Sequence, residues 1–171
     1  KYTFKHSRSS WKGIPIIASN MDGVGEIDVA KKLSSHKLMT ALTKQHDINQ
    51  IGTIYKKNIF FDSIALSCGT SKDSYNRLNS ILKKYPKFKF ICIDVANGYS
   101  ENFSNFVSEV RKKYPKKTII AGNVVTADMT QELVLSGADI VKVGIGPGSV
   151  CTTRIQTGVG YPQLSAVMEC A

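Results

Sequence analysis

At 171 residues with 42% hydrophobic content, the chain is long enough for one globular domain with a real core. Its net charge of +10 raises the question of an anionic partner. The basic residues are scattered, however, as Lys31-Lys32, Lys56-Lys57, Lys83-Lys84, Arg111-Lys112-Lys113 and Lys116-Lys117, at helical ends and not in the pattern of a single-strand binder. That pattern suits solvated helix faces and argues against a nucleic-acid partner. The four cysteines, Cys68, Cys92, Cys151 and Cys170, form no CxxC pair, and His6, His36 and His46 stand at no metal-ligand spacing from them. No run of about 18 apolar residues and no signal-peptide pattern is present, so the expectation is a reducing, cytoplasmic compartment and no membrane partner.

Short apolar runs alternate with amphipathic stretches along the whole chain. Residues 14–18 predict a first strand and 26–35 a helix; 38–42 and 47–55 form the next pair. Then come 63–67 with 72–84, 88–93 with 100–114, 118–121 with 127–136, and a sixth strand over Ile140–Val143. Ser71 and Thr126 are N-cap residues where helices should begin, and Ser136-Gly137 is a fitting helix stop.

Repeated β-α units predict a parallel sheet. An open doubly wound sheet concentrates function at one switch point, whereas a (β/α)8 barrel places it after many successive strands. Polar or glycine-rich residues follow every predicted strand here: Ser19-Asn20-Met21-Asp22, Thr43-Lys44-Gln45-His46, Cys68-Gly69-Thr70-Ser71, Asp94 with Asn97-Gly98, Gly122-Asn123, and the loop around Cys151. The expectation is therefore an α/β chain, a (β/α)8 TIM barrel of which residues 1–171 supply about the first six βα units as a single partial domain. A complete barrel takes eight strands and roughly 250 residues, so further C-terminal units are expected elsewhere. A self-contained six-strand domain is the alternative, and it would leave an open sheet edge.

The last predicted strand runs into Gly144-Ile145-Gly146-Pro147-Gly148-Ser149-Val150-Cys151-Thr152-Thr153-Arg154, followed by Gly158-Val159-Gly160. Glycines let backbone amides approach a ligand closely. Most free cysteines are core residues. A cysteine on such a loop beside an arginine is instead placed to be a thiolate nucleophile. Cys68, Cys92 and Cys170 read as core or incidental, and Thr152 as structural. No G-x-G-x-x-G fingerprint occurs, so a Rossmann cofactor mode is not supported.

The run Val143–Gly160 resembles the catalytic loop of the inosine-monophosphate dehydrogenase and guanosine-monophosphate reductase family. Cys92-Ile93-Asp94-Val95-Ala96-Asn97-Gly98-Tyr99-Ser100 and Gly158-Val159-Gly160-Tyr161-Pro162-Gln163-Leu164-Ser165-Ala166-Val167 resemble the reductase versions of two family motifs. The similarity spans residues 4–171 and is densest at 13–25, 91–101 and 118–169. It implies that GMP, NADPH and a proton are turned into IMP, ammonia and NADP through a covalent link between Cys151 and C2 of the purine. By the same resemblance Thr153 transfers a proton together with a glutamate beyond Ala171. Lys44, Asp94, Val95, Ala96, Ile145 and Gly146 meet the nicotinamide cofactor, and the loop of Gly146, Gly148, Cys151 and Arg154 holds a monovalent cation, K+. Relatives imply a homotetramer. Two departures stand out: Thr43, Gln45 and His46-Asp47 surround Lys44 where relatives tend to have histidines, and Gly23 replaces a usual threonine. The alternatives are IMP oxidation with NAD, and an inactive nucleotide-binding fragment.

Overall fold

The computed structural model describes residues 1–56 and 61–171; Lys57, read from sequence as part of a helix-end charge pair, lies outside them. After a hairpin of β1 (Tyr2–Thr3) and β2 (Ser10–Trp11), strands and helices alternate. They run β3 (Ile17–Ala18), α1 (Ile27–Ser35), β4 (Met39–Ala41), α2 (Ile48–Lys56), a 3-10 turn (Phe61–Ser63), β5 (Ile64–Cys68) and α3 (Lys72–Lys84). Next are β6 (Phe90–Asp94), α4 (Glu101–Lys113), β7 (Thr118–Val124), α5 (Ala127–Leu135), β8 (Ile140–Val143), α6 (Thr152–Thr157) and α7 (Gln163–Cys170). The six-stranded sheet has the order β3-β4-β5-β6-β7-β8. An order that climbs strand by strand, with no reversal, is that of a (β/α)8 barrel and not of a doubly wound sheet.

The chain divides into two compact units: residues 1–92 with 116–118, and residues 93–115 with 119–171. In the first unit, β3 and β4 pair in parallel with Ile17 opposite Met39, and β4 and β5 with Thr40 opposite Ile64. Every residue of β5 is buried, as expected of a parallel strand covered on both faces. Helix α3 buries Tyr75, Leu78, Ile81 and Leu82, one face at helical spacing. Ser71 caps it, its Oγ accepting the Ser74 amide. Helix α2 opens on a reciprocal pair: Asp47 Oδ1 accepts the Gln50 amide at 2.8 Å, and Gln50 Oε1 accepts the Asp47 amide at 2.8 Å.

The first strand is shorter than residues 14–18. Ile14 and Ile16 are 47% and 59% exposed, and Pro15 between them has no N–H to give a ladder. The hairpin of β1 and β2 is not visible in local sequence pattern. Its Tyr2 and Trp11 rings stack with centroids 6.1 Å apart, while Ser7 and Ser9 hydrogen-bond the Thr118 hydroxyl at 3.1 and 2.7 Å.

In the second unit β7 continues three residues past the expected Ala121, to Val124. It pairs in parallel with β8, with a register irregularity between Gly122 and Val124 that leaves Asn123 as an extra residue. Helix α4 buries Phe103, Val107 and Val110 and is capped by Ser100. Thr126 precedes α5 at the expected N-cap but makes no side-chain cap; its hydroxyl pairs with the Tyr99 hydroxyl at 2.8 Å. Ser136 ends α5 and Gly137 follows at φ +110, as the helix stop requires.

Candidate active site

The Cys151 loop lies wholly in the second unit, and its base is anchored. Ile145 is 3% exposed and packs with Val125 and Ala166, with Val143 and Tyr161 against them. Tyr161 N–H donates to Ile145 C=O at 2.9 Å, and Gln163 Nε2 donates to Val143 C=O at 2.9 Å. The tip is open: Val150 is 85% exposed. Between anchor and tip, Cys151 N–H donates to Gly148 C=O at 3.1 Å, and Ile155 N–H donates to Cys151 C=O at 3.1 Å. The thiol thus becomes the N-cap residue of α6.

That placement sets its chemistry. The Arg154 amide, then the Thr153 amide, hold the thiol below the ordinary cysteine value; burial opposes them, and the Thr153 hydroxyl and the Arg154 charge add lesser pulls in the same direction as the amides. No side-chain cap of full hydrogen-bond geometry forms at Cys151, so the pull is that of amide dipoles aimed at sulfur rather than of a closed bond. Gly158, at φ +69, ends α6 in the left-handed conformation and donates to Arg154 C=O at 2.9 Å.

Asp94, the last residue of β6, pairs with Lys142 of β8, Nζ to Oδ1, at 2.5 Å. Val95 and Ala96 follow: Val95 exchanges backbone hydrogen bonds with Gly122 and Asn123, at 2.9 and 3.0 Å, and Ala96 is exposed. Asn97 Oδ1 accepts the Tyr99 amide at 3.0 Å, so it is a turn residue. Asn123 received no role from sequence beyond its position after a strand. Its Nδ2 donates to Gly144 C=O at 2.9 Å, while its Oδ1 is buried without a partner among the described residues. A buried orphan acceptor beside a reactive loop marks a place where a ligand donor belongs.

The first unit holds Lys44, which is exposed; its Nζ lies 3.9 Å from where a Cβ on Gly69 would stand. Two residues on, His46 is buried, with Nε2 3.2 Å from Glu26 Oε2 and 3.3 Å from Gly25 C=O. Arg77 donates to His46 C=O and to Ser67 C=O. His46 therefore ties down the loop that carries Lys44, a role that no local pattern announces.

The remaining cysteines behave as read: Cys68 and Cys92 are buried, and Cys170 lies in α7. Among the described residues no group of three or more His, Cys, Asp or Glu side chains could hold a metal ion. Backbone carbonyls of Gly146, Gly148, Cys151 and Arg154 are a different donor set. Those of Gly148, Cys151 and Arg154 each accept one amide and keep a second lone pair. Neutral oxygens of this kind suit a hard monovalent cation, and Arg154 can join them only through its carbonyl.

Residues 5–171 match the family model described as "IMP dehydrogenase / GMP reductase domain". Proteins named GMP reductase from Yersinia enterocolitica serotype O:8 / biotype 1B and from Yersinia pestis strain Pestoides F are each 54% identical over 173 residues, covering 100% of this chain and 50% of their own. The chain thus spans about half the length of the curated relatives it matches. A crystal structure of inosine 5′-monophosphate dehydrogenase from Legionella pneumophila superposes with a TM-score of 0.81 at 30% identity, over 99% of this chain and 55% of that one. With the strand order, this likeness gives the fold class: six consecutive βα units of a (β/α)8 barrel.

Proposed function

Because the chain belongs to the IMP dehydrogenase/GMP reductase family, we propose that it is the thiol-bearing part of a GMP reductase, a cytoplasmic homotetramer that turns GMP into IMP and ammonia with NADPH. Residues 1–171 act, on this reading, within one catalytic barrel domain. The observation that carries it is Cys151 at the start of α6, its pKa lowered by the Arg154 and Thr153 amides, in a chain 54% identical to proteins named GMP reductase.

The chemistry follows from the position of the thiol. The Cys151 thiolate adds to C2 of the guanine ring, making that carbon tetrahedral. Thr153, whose hydroxyl helps to lower the Cys151 pKa, passes a proton toward the exocyclic amine, which leaves as ammonia. The C2–N bond breaks as the C2–S thioimidate forms. NADPH, when bound, supplies the hydride that C2 accepts. Collapse of the C2–S bond returns the thiolate and frees IMP. One thiol divides a difficult substitution into two easier steps.

In the second unit the cofactor is proposed to meet Asp94, Val95, Ala96, Ile145 and Gly146; Lys44 is proposed as a cofactor-binding residue on the family resemblance alone. The unpartnered Asn123 Oδ1 suits an amide N–H donor of the cofactor. The carbonyl loop of Gly146, Gly148, Cys151 and Arg154 is proposed to hold K+, which would brace the turn. No described helix is long and apolar enough to cross a membrane, and no nucleic-acid partner is proposed. The test is absorbance at 340 nm with full-length protein. GMP-dependent loss of NADPH is expected. NADH formation from IMP without it would transfer the chain to the dehydrogenase reading, and neither activity would leave a nucleotide-binding fragment.

A further inference from the structure

Arg154 touches three parts of the loop at once. Its amide faces Cys151 Sγ, and its carbonyl accepts the Gly158 amide at 2.9 Å. Its side chain crosses two glycines that pack against each other. A Cβ on Gly160 would stand 2.8 Å from Gly146 C=O, and 2.7 and 2.9 Å from Arg154 Nε and Cδ. A Cβ on Gly146 would stand 2.8 Å from Val159 C=O and 3.3 Å from Arg154 Cβ. Gly158 is different: a Cβ there meets nothing within 4 Å, and glycine is required by its φ of +69. At Gly160 glycine is required by space, and the arginine side chain fills that space.

We propose that Arg154 is a positioning residue: laid across Gly146 and Gly160, it is the strut that holds the Cys151 turn against the 158–160 segment and keeps the thiol aimed. This rests on the reading of Cys151 as nucleophile. An exposed arginine in a short helix would otherwise be free to sample many rotamers. Here its Cβ, Cδ and Nε lie against the two glycines. The residue thereby couples two stretches of chain that are also joined by Tyr161 N–H to Ile145 C=O and by Gln163 Nε2 to Val143 C=O.

The experiment uses full-length protein and three variants: Arg154→Ala, Arg154→Lys and Cys151→Ala. Arg154→Ala removes the strut; Arg154→Lys keeps a stem of similar reach and a charge. Two quantities are read: steady-state GMP reduction, split into kcat and KM, and the thermal midpoint. Arg154→Ala is expected to lower kcat at least tenfold with the GMP KM within about twofold. Arg154→Lys, whose stem spans the same bed, is expected to restore most of kcat. A wild-type kcat in Arg154→Ala overturns the proposal. So does failure of lysine to recover kcat while the thermal midpoint stays that of wild type. If Arg154→Ala does not fold, Arg154→Met, which keeps the stem without charge, takes its place: its kcat must stay within about threefold of wild type, and a tenfold loss overturns the proposal. Retained turnover in Cys151→Ala would sink the nucleophile reading itself, separately from these outcomes.

Discussion

The Lys142 ammonium sits 2.5 Å from Asp94 Oδ1, joining the middle of β8 to the last residue of β6. The two side chains are 24% and 21% exposed, so water screens this pair less than it does a surface ion pair. If Asp94 holds the cofactor, Lys142 sets the direction of its carboxylate. Lys142→Met is therefore expected to raise the KM for NADPH while leaving the KM for GMP and the alkylation of Cys151 unchanged. A hydrogen bond to a charged group contributes about 1.5–3 kcal/mol, or roughly tenfold to a hundredfold. An unaltered cofactor KM would remove Asp94 from the cofactor site.

Cys151 is expected to react as a thiolate at lower pH than an ordinary cysteine, whose pKa is about 8.5. The pull comes first from the Arg154 amide and then from the Thr153 amide. The anion is favoured in the folded protein, so its contribution to stability is complete above the ordinary thiol pKa and is lost as pH falls through the lowered one. Mass-resolved alkylation across pH, comparing Cys151 with the same peptide unfolded in urea, measures this. Coincident profiles would show that the loop does nothing for the thiol.

Thr153→Val is expected to slow ammonia release more than hydride transfer. The hydroxyl acts on the Cys151 thiol, and in the proposed mechanism its proton is needed by the departing amine and not when C2 accepts hydride. Single-turnover kinetics, following released ammonia and loss of 340 nm absorbance separately, resolve the two halves. Equal slowing of both steps contradicts a role in the first alone.

A purely structural prediction concerns Asp139, just before β8. Its side chain is fully buried, and Oδ2 accepts from Arg111 Nη2 at 2.6 Å and from the Ile119 amide at 3.1 Å. Asp139→Ala takes the carboxylate from a largely buried guanidinium, which keeps the carbonyls of Gly137, Tyr114 and Pro115, and leaves the Ile119 amide without this acceptor; breaking a buried pair costs about 3–5 kcal/mol. Urea denaturation should show it as a lower midpoint. A loss below about 1 kcal/mol, the scale of an exposed pair, would mean that water reaches the site.

The βα rhythm is legible in sequence because it is local. Alternation and helical spacing report burial directly, and Ser71, Ser136 and Gly137 do at their positions what their chemistry suggests. The Cys151 loop stands out in sequence because glycine, cysteine, threonine and arginine occur there in one order, and its catalytic role is part of the proposed function. Helix α6 is not: Thr152, Thr153 and Ile155 are β-branched and poor helix formers, and only Gly158 hints at its end. Asn123 and Lys142 are hidden for another reason. What they touch depends on the register of β7 against β8 and on one extra residue between Gly122 and Val124, which no single segment encodes. Pro15, by contrast, is visible in sequence, and its missing N–H is what shortens the first strand.

The division of the chain into units is not a division into consecutive fragments. The path crosses between them after Cys92, after Pro115 and after Thr118. The briefest visit, Lys116–Thr118, returns a single buried hydroxyl to Ser7 and Ser9 and a half-buried ammonium, Lys117 Nζ, to the carbonyls of Pro86 and Phe88. A piece cut at Cys92 would thus lack a plug that is encoded two dozen residues downstream. Anyone seeking a minimal soluble module, or splitting this chain for reassembly, must cut elsewhere, because the first unit becomes whole only after the second has already begun.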